Sequence, residues 1–431
     1  MNSIKLFVKE LHDFLILWLT QSFSSLGSAM TNFALVIWSY QQYESALQTA
    51  LLAICSYLPY VVMSIFAGAL SDRWNKKRCM LVCDSVAAGC TVIVFLLLQT
   101  GRLELWHLYV LNAVNGLMNT VQQPAADVTT SLLTPRKYYQ KVSGMRSFSN
   151  SLVTVITPVL ATAFLSFFSI QWVITFDLFS FSMAFLALLF FVRIPELKKD
   201  EEAKESIFKS AKAGLYYLKQ QIGILYLILF LAAINLIASM YNAALPAMIL
   251  SKQGGGEVAL GLVNMATGLA TLAGSLLVSL LPAPKSRVKV ICNTLLFSMG
   301  TENFFLAFGS STPVWCLGAV LGWIVIPIMG ANLDVILRSN IPIEMQGRVY
   351  SARNTLQFFT IPIGYLLGGI LVDKVFEPFM ELQKPGSIPV FLFGSGKGSG
   401  AAFLFLILAF AGIMVCLIFR KNVHIWKLEQ Q

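Results

Sequence analysis

Gly68-Ala69-Leu70-Ser71-Asp72-Arg73-Trp74-Asn75-Lys76-Lys77-Arg78 is the stretch that decides the fold. A run of small residues leads into an acid and then a basic cluster, and long apolar stretches lie on both sides of it. A charged joint between two apolar segments is the pattern of a loop at a membrane surface.

The rest of the chain agrees with a membrane setting. Of 431 residues, 57% are hydrophobic and 12% charged, and the mean hydropathy is +0.72. That is more apolar surface than a soluble domain of this size can bury, so lipid must solvate much of it. A membrane-crossing helix needs about 20 apolar residues. Spans are expected at 14–39, 46–69, 79–100, 105–127, 142–165, 170–192, 222–250, 257–281, 288–309, 313–336, 349–373 and 400–420. Strand-type alternation is missing, which argues against a barrel.

The net charge of +10 would suggest nucleic acid in a soluble protein. Here it follows topology instead, because basic residues fall in alternate joints. With the N-terminus inside, only Arg102, Lys252, Lys374, Lys384 and Lys397 face outward, so both termini are expected in the cytoplasm. The N-terminus lacks a small-residue cleavage site before its first apolar run and reads as a retained span. The seven Cys residues lie mostly inside apolar stretches with no CxxC pair, which fits packing roles. His12, His107 and His424 are too scattered for a metal site.

Residues 193–221, rich in Lys and Glu, form a long polar joint between residues 1–192 and 222–431. Within it Ile207, Phe208, Ala211, Leu215 and Leu218 recur at helical spacing, which predicts an amphipathic helix on the membrane surface. One constant shift brings Asp127-Val128 onto Asp334-Val335, Pro135 onto Pro342, Lys141-Val142 onto Arg348-Val349 and Arg146 onto Arg353. The expected fold class is therefore an all-α membrane protein with twelve transmembrane helices, in two six-helix bundles related by a parallel pseudo-repeat. Asp127 with Arg146, and Asp334 with Arg353, are placed to pair across corresponding joints. The segment 377–400, with its run Gly394-Ser395-Gly396-Lys397-Gly398-Ser399-Gly400, reads as a flexible loop; its irregular glycines do not make a phosphate loop.

Three spans carry polar stripes. Gln21, Ser25, Ser28 and Asn32 share one helical face, as do Asn112, Asn115, Asn119 and Gln122, and a shorter stripe joins Asn235, Ser239 and Asn242. An amide facing lipid forfeits its hydrogen bonds, so these faces must turn inward, to a cavity or to a neighbouring helix. Phe23, Phe33, Tyr241 and Trp323 are interleaved with them. A lining of neutral donors, acceptors and rings suits a large amphipathic solute better than a small anion. Asp84, Asp177 and Glu302 are the ionisable groups inside spans and so the candidates for proton coupling. Each could instead bond locally as a structural group.

The opening stretch resembles the Gly-x-Leu-x-Asp-Arg-x-x-basic-basic signature of the major facilitator superfamily. With Gln21, Asp84, Thr157-Pro158, Asp177 and Gln346-Gly347-Arg348-Val349, the chain is most similar to the branch of drug:proton antiporters that contains macrolide and enterobactin exporters. The resemblance implies secondary active export by alternating access, with the first, fourth, seventh and tenth helices lining the cavity. It also implies that Gly68, Asp72 and Arg73 belong to a latch that closes the cytoplasmic side. Two positions depart from the family pattern: Asn112 stands where an Arg is usual in the fourth helix, and only Pro158 remains of the glycine-rich motif of the fifth.

The expected function is export of a macrolide-like drug or a siderophore through a bacterial inner membrane, by a monomer, with protons as partner and no cofactor, metal or nucleic acid. A lipid or lysolipid flippase is the alternative within transport. A membrane interaction protein that kept the fold without transport is the alternative from another class. No catalytic constellation suggests an enzyme.

Overall fold

The computed structural model describes residues 2–195 and 207–429, and the regular elements among them are helical. Linker residues 196–206 lie outside the described residues, as do the side chains of 64–73, among them Gly68, Asp72 and Arg73. In chain order the helices are α1 (Asn2–Glu10), α2 (His12–Tyr43), α3 (Ala46–Arg73), α4 (Lys76–Gln99), α5 (Leu105–Leu132), α6 (Tyr139–Phe167), α7 (Ile170–Leu186), α8 (Ile207–Gln220), α9 (Ile222–Ser251) and α10 (Glu257–Leu280). They continue with α11 (Arg287–Phe308), α12 (Thr312–Trp323), α13 (Ile326–Asn340), α14 (Ile343–Phe358), α15 (Thr360–Ile370), α16 (Glu377–Glu381), α17 (Ile388–Phe393), α18 (Ser399–Arg420) and α19 (Val423–Trp426).

Ten helical stretches among the described residues are long and apolar enough to cross a membrane. The long helices α2 and α5 fall outside that group, and they are the two that carry the longest polar stripes. Large apolar side chains of these stretches point outward: Phe167 is 80% exposed, Leu276 68% and Phe410 59%. Each would forfeit about 1.5–3 kcal/mol in water relative to burial, so lipid is their solvent and the chain is a multi-pass membrane protein.

The opening stretch contains a helix start. Asn75 caps α4, its side-chain oxygen accepting from the Arg78 N–H at 3.1 Å. Lys77 reaches the segment that follows α7: its ammonium donates to the carbonyls of Leu189 (3.0 Å) and Val192 (2.7 Å). Those carbonyls close the π-helical turn Ala187–Phe191 that follows α7, where a cation complements the negative helix end.

Two expected spans are divided. The stretch 313–336 is split into α12 and α13, because Pro327 has no N–H to give the carbonyl of Trp323. The last-but-one span starts earlier than expected and breaks at Phe359, where Pro362 likewise cannot bond Phe358. The Thr360 hydroxyl donates to the Ala232 carbonyl at 2.8 Å and ties the break to α9. The linker helix appears as α8; Leu218 is buried, Leu215 is exposed, and the Tyr217 hydroxyl donates to the Asn340 carbonyl at 3.2 Å.

The chain falls into two compact units, Met1–Leu35 with Cys55–Ile207, and Val36–Ile54 with Phe208–Gln431. In unit 1, Leu17, Cys79, Met80, Cys83, Val121, Ala125, Leu188 and Val192 form one buried cluster. All seven cysteines are free, and Cys79 and Cys83 act there as small packing residues. Unit 2 is organised by close backbone approach: a Cβ at Gly364 would lie 2.4 Å from the Leu236 carbonyl oxygen, and one at Gly368 2.8 Å from the Met240 Cα. Lipid supplies no hydrophobic drive between helices, so such small-residue contacts hold α15 against α9.

Within unit 2, Asp373 anchors the start of α3. Its carboxylate accepts from the Ser45 hydroxyl (2.5 Å) and from the N–H groups of Ala46 and Leu47 (2.9 Å each). These are orphan donors at a positive helix end. Four residues on, Glu377 serves α18 in the same way, accepting from Gly398 N–H (3.0 Å) and Ala401 N–H (3.1 Å). Asp373 lies in the π-helical segment Leu371–Phe376, and Glu377 directly follows it at the start of α16. The segment expected to be a flexible loop is thus a defined connection: Gly394, Gly396 and Gly398 have φ of +84°, +85° and +89°, conformations that favour glycine. Asp373→Ala is expected to cost about 1–2 kcal/mol by loss of the cap, read as a lowered Tm of the purified protein, whereas Lys374→Ala beside it should leave Tm unchanged.

Candidate functional site

Unit 1 encloses a cavity of about 550 Å³. Gln21, Ser25, Ser28 and Asn32 reach it from α2, and Asn112, Asn115, Asn119 and Gln122 from α5. Both long stripes therefore converge on one space. Asp84 enters from α4 and Asp177 from α7, so two of the three intramembrane acids share it. The cavity also takes Arg146, Ser149, Asn150 and Val153 from α6, and Thr91 from α4.

Asp84 is held by one residue of each stripe. The Gln122 amide donates to Oδ1 at 2.6 Å and the Gln21 amide to Oδ2 at 3.3 Å. Asp177, 4% exposed, accepts from the Ser28 hydroxyl at 2.9 Å. Both carboxylates are thus met by neutral donors in these bonds. The cation lining the cavity, Arg146, is engaged elsewhere: its Nη2 donates to Asp127 Oδ1 at 2.6 Å. The buried Asn115 Oδ1 has no hydrogen-bond partner among the described residues, at a cost of about 1–3 kcal/mol.

Two glycines allow the helices to meet here. A Cβ at Gly27 would lie 2.3 Å from Ser180 Oγ and 2.8 Å from the Asp177 Cα, so only glycine lets α2 and α7 approach closely enough for Ser28 to reach Asp177. A Cβ at Gly116 would lie 2.1 Å from the Ser56 carbonyl oxygen, which fixes α3 against the amide-bearing helix α5.

The Asp127–Arg146 pair joins α5 to α6 with both side chains partly exposed, 50% and 39%, so its direct stability contribution is about 0–1 kcal/mol. Exchanging the two charges is expected to restore whatever transport either single reversal loses, measured as efflux rate. The corresponding pair differs: Arg353 Nε donates to Gln357 Oε1 at 3.0 Å, and it forms no ion pair with Asp334 among the described residues.

The third stripe and third acid lie in unit 2. The Asn235 amide donates to the Gln357 carbonyl at 3.2 Å, Ser239 is buried against Gly364, and Asn242 is exposed. Asn235 therefore serves the contact of α9 with α14, and Ser239 its contact with α15. Glu302, 4% exposed, accepts from Trp323 Nε1 at 2.8 Å. Phe23 packs edge-on against Phe176 at 5.3 Å, and Phe33 packs against the cluster of Met30, Ala34, Ala161 and Val173. The α6 contribution was missed in the sequence although its signal is plain: Arg146, Ser149, Asn150 and Val153 are spaced for one helical face.

The profile of the Major Facilitator Superfamily matches residues 17–365. This chain belongs to that superfamily. It is similar to macrolide efflux protein A of Streptococcus pyogenes, 22% identical over 366 residues, covering 84% of this chain and 90% of that protein. It is also similar to the multidrug efflux pump Tap of Mycolicibacterium fortuitum, 22% identical over 373 residues, with 82% and 88% covered. A solved variant of the nucleoside transporter NupG superposes with a TM-score of 0.70 at 13% identity, covering 95% of this chain and 99% of that one, which establishes the fold. The protein is therefore a major facilitator transporter, not an enzyme. For such a transporter, a polar cavity roofed by two striped helices is the candidate place for a small-molecule substrate.

Proposed function

We propose that this transporter exports amphipathic small molecules, of the kind represented by macrolide-like drugs or siderophores, by alternating access driven by protons. One observation carries the reading: the stripes of α2 and α5 meet Asp84 and Asp177 in a single cavity of about 550 Å³. The efflux proteins among its relatives support the direction of transport.

Asp84 supplies a physical link between proton and cargo. As a carboxylate it accepts from both Gln21 and Gln122. Protonation converts one oxygen into an O–H donor and weakens it as an acceptor, which favours release of one amide toward the cavity. A proton on Asp84 and a solute bonded to the freed glutamine are thereby coupled. Asp177 offers a second such site through Ser28, and Glu302 a third, in unit 2, through Trp323. Gly68, Asp72 and Arg73, with Asp127 and Arg146 and with Asp334 and Arg353, would latch the cytoplasmic rim. The proposal includes twelve spans in a parallel pseudo-repeat, domains at 1–192, 193–221 and 222–431, both termini in the cytoplasm, a bacterial inner membrane and a monomeric carrier.

Growth of a pump-deficient host with and without this protein, across macrolides, dyes and iron chelates, tests it. Resistance gained and then abolished by a protonophore supports the reading. Resistance that survives the protonophore removes the proton drive. No gain for any compound, with movement of radiolabelled lysolipid in vesicles, replaces drug export by lipid flipping.

A further inference from the structure

The C-terminal segment closes one end of unit 2. The Glu429 carboxylate accepts from the Ser286 hydroxyl (3.0 and 2.9 Å) and from the Val288 N–H (2.6 Å), occupying the start of α11. Ile425 and Leu428 are buried, the Asn340 amide donates to the Leu428 carbonyl at 3.2 Å, and His424 stacks on Tyr226 at 5.5 Å. Trp426 Nε1 donates to the Arg420 carbonyl at 2.7 Å, which pins its ring beside the end of α18. Beneath this strap lies a recess of about 640 Å³, lined by Ser286, Lys289, Leu417, Arg420, Lys421, Trp426 and Glu429.

The recess is cationic. Lys289, Arg420 and Lys421 have no ion-pair partner among the described residues. The acid nearby, Glu429, is committed to the α11 N-terminus rather than to any of them. From Arg420 and Lys421 an exposed apolar stripe runs back along α18 through Ile418, Leu417, Met414 and Phe410, with Phe297 exposed on the neighbouring α11. Three cations and an indole at the head of a lipid-facing groove match one ligand class: a charged headgroup above, acyl chains below.

We propose that this recess binds the headgroup of an anionic phospholipid, its phosphate on Lys289, Arg420 and Lys421 and an acyl chain along Phe410, Met414 and Leu417. Such a lipid would clamp the strap onto α11 and α18 and hold this end of unit 2 together. The inference needs only the membrane setting and is independent of what is transported.

The test uses the purified full chain in detergent, with thermal unfolding and native mass spectrometry read during titration with phosphatidylglycerol, phosphatidylethanolamine or inorganic phosphate. Phosphatidylglycerol is expected to bind and raise Tm in a salt-sensitive way, with phosphatidylethanolamine much weaker. Lys289→Gln, Arg420→Gln and Lys421→Gln combined should weaken phosphatidylglycerol binding on the order of 100-fold, at about 1 kcal/mol per surface cation. If that protein does not fold, Lys289→Gln alone is compared with Lys289→Arg, and the arginine variant should retain binding. Equal binding of both lipids, or no loss in the glutamine variants, overturns the proposal. Phosphate displacing phosphatidylglycerol at comparable concentration overturns it in favour of a site for a free anion.

Discussion

Asp84→Asn is expected to lower proton-driven export on the order of 100-fold, equivalent to about 2.7 kcal/mol in rate, while leaving the protein folded. The substitution preserves size and lets the side-chain oxygen still accept from Gln122 or Gln21, whose amides now approach Asp84 at 2.6 and 3.3 Å. One glutamine must flip to meet the new NH₂ group, a local change that an amide can make. What is lost is the titrating carboxylate. Export against a gradient should therefore fail, while equilibrium binding of a substrate found in the resistance screen stays within about threefold, about 0.65 kcal/mol. The measurement pairs accumulation of that substrate in energised inverted vesicles with its binding to purified protein. Uphill transport at the wild-type rate would remove Asp84 from the coupling scheme. Loss of binding together with transport would reassign it to cargo recognition.

Gly116→Leu should be the most damaging single change for the fold of unit 1. The first added atom would already lie 2.1 Å from the Ser56 carbonyl oxygen, 2.9 Å from its carbonyl carbon and 3.1 Å from its Cα. Backbone cannot rotate out of the way as a side chain can, so α3 and α5 must separate. Overpacking typically costs about 1–3 kcal/mol and occasionally more, and a rigid backbone contact puts this site at the upper end. The displaced helix carries Asn112, Asn115 and Asn119, so the cavity changes with it. Gly89 is the control: a Cβ there meets nothing within 4 Å, and Gly89→Ala in mid-helix is expected to stabilise by about 0.5–1 kcal/mol. Thermal unfolding of the two variants should move in opposite directions, and equal shifts would refute the packing argument.

These two sites show what could and could not be read ahead of the structure. The stripes at Gln21 to Asn32 and Asn112 to Gln122 were legible because lipid penalises every unsatisfied amide, and helical periodicity then leaves one face for them. Their meeting in one cavity was not. It depends on the lateral order of helices and on contacts such as Gly27 with Asp177 and Gly116 with Ser56, which no local pattern encodes. The short stripe on α9 shows the same gap from the other side: its spacing matches the long stripes, yet Asn235 meets α14 and Ser239 meets α15. Spacing tells which residues share a face and leaves open whether that face meets a cavity or another helix.

The acids divide likewise. Sequence marks Asp84, Asp177 and Glu302 as unusual because each interrupts an apolar span. Only the packing gives Asp84 two glutamines and Asp177 a serine in one space, and sets Glu302 against Trp323 in the other unit. The roles of Asp373 and Glu377 as caps were also hidden, because the helix starts they serve are more than three hundred residues away for the first and across a glycine-rich connection for the second.

By itself, then, the sequence determined the solvent, the helical class and the family. Those follow from how much apolar surface the chain carries, how often it recurs and where its charges interrupt it, all of which are local and additive along the chain. Tertiary structure decided which helix faces meet, which polar groups share a cavity and which carboxylates cap distant helices. Those depend on non-local close packing, where a single missing Cβ at Gly27 or Gly116 sets the distance between two helices.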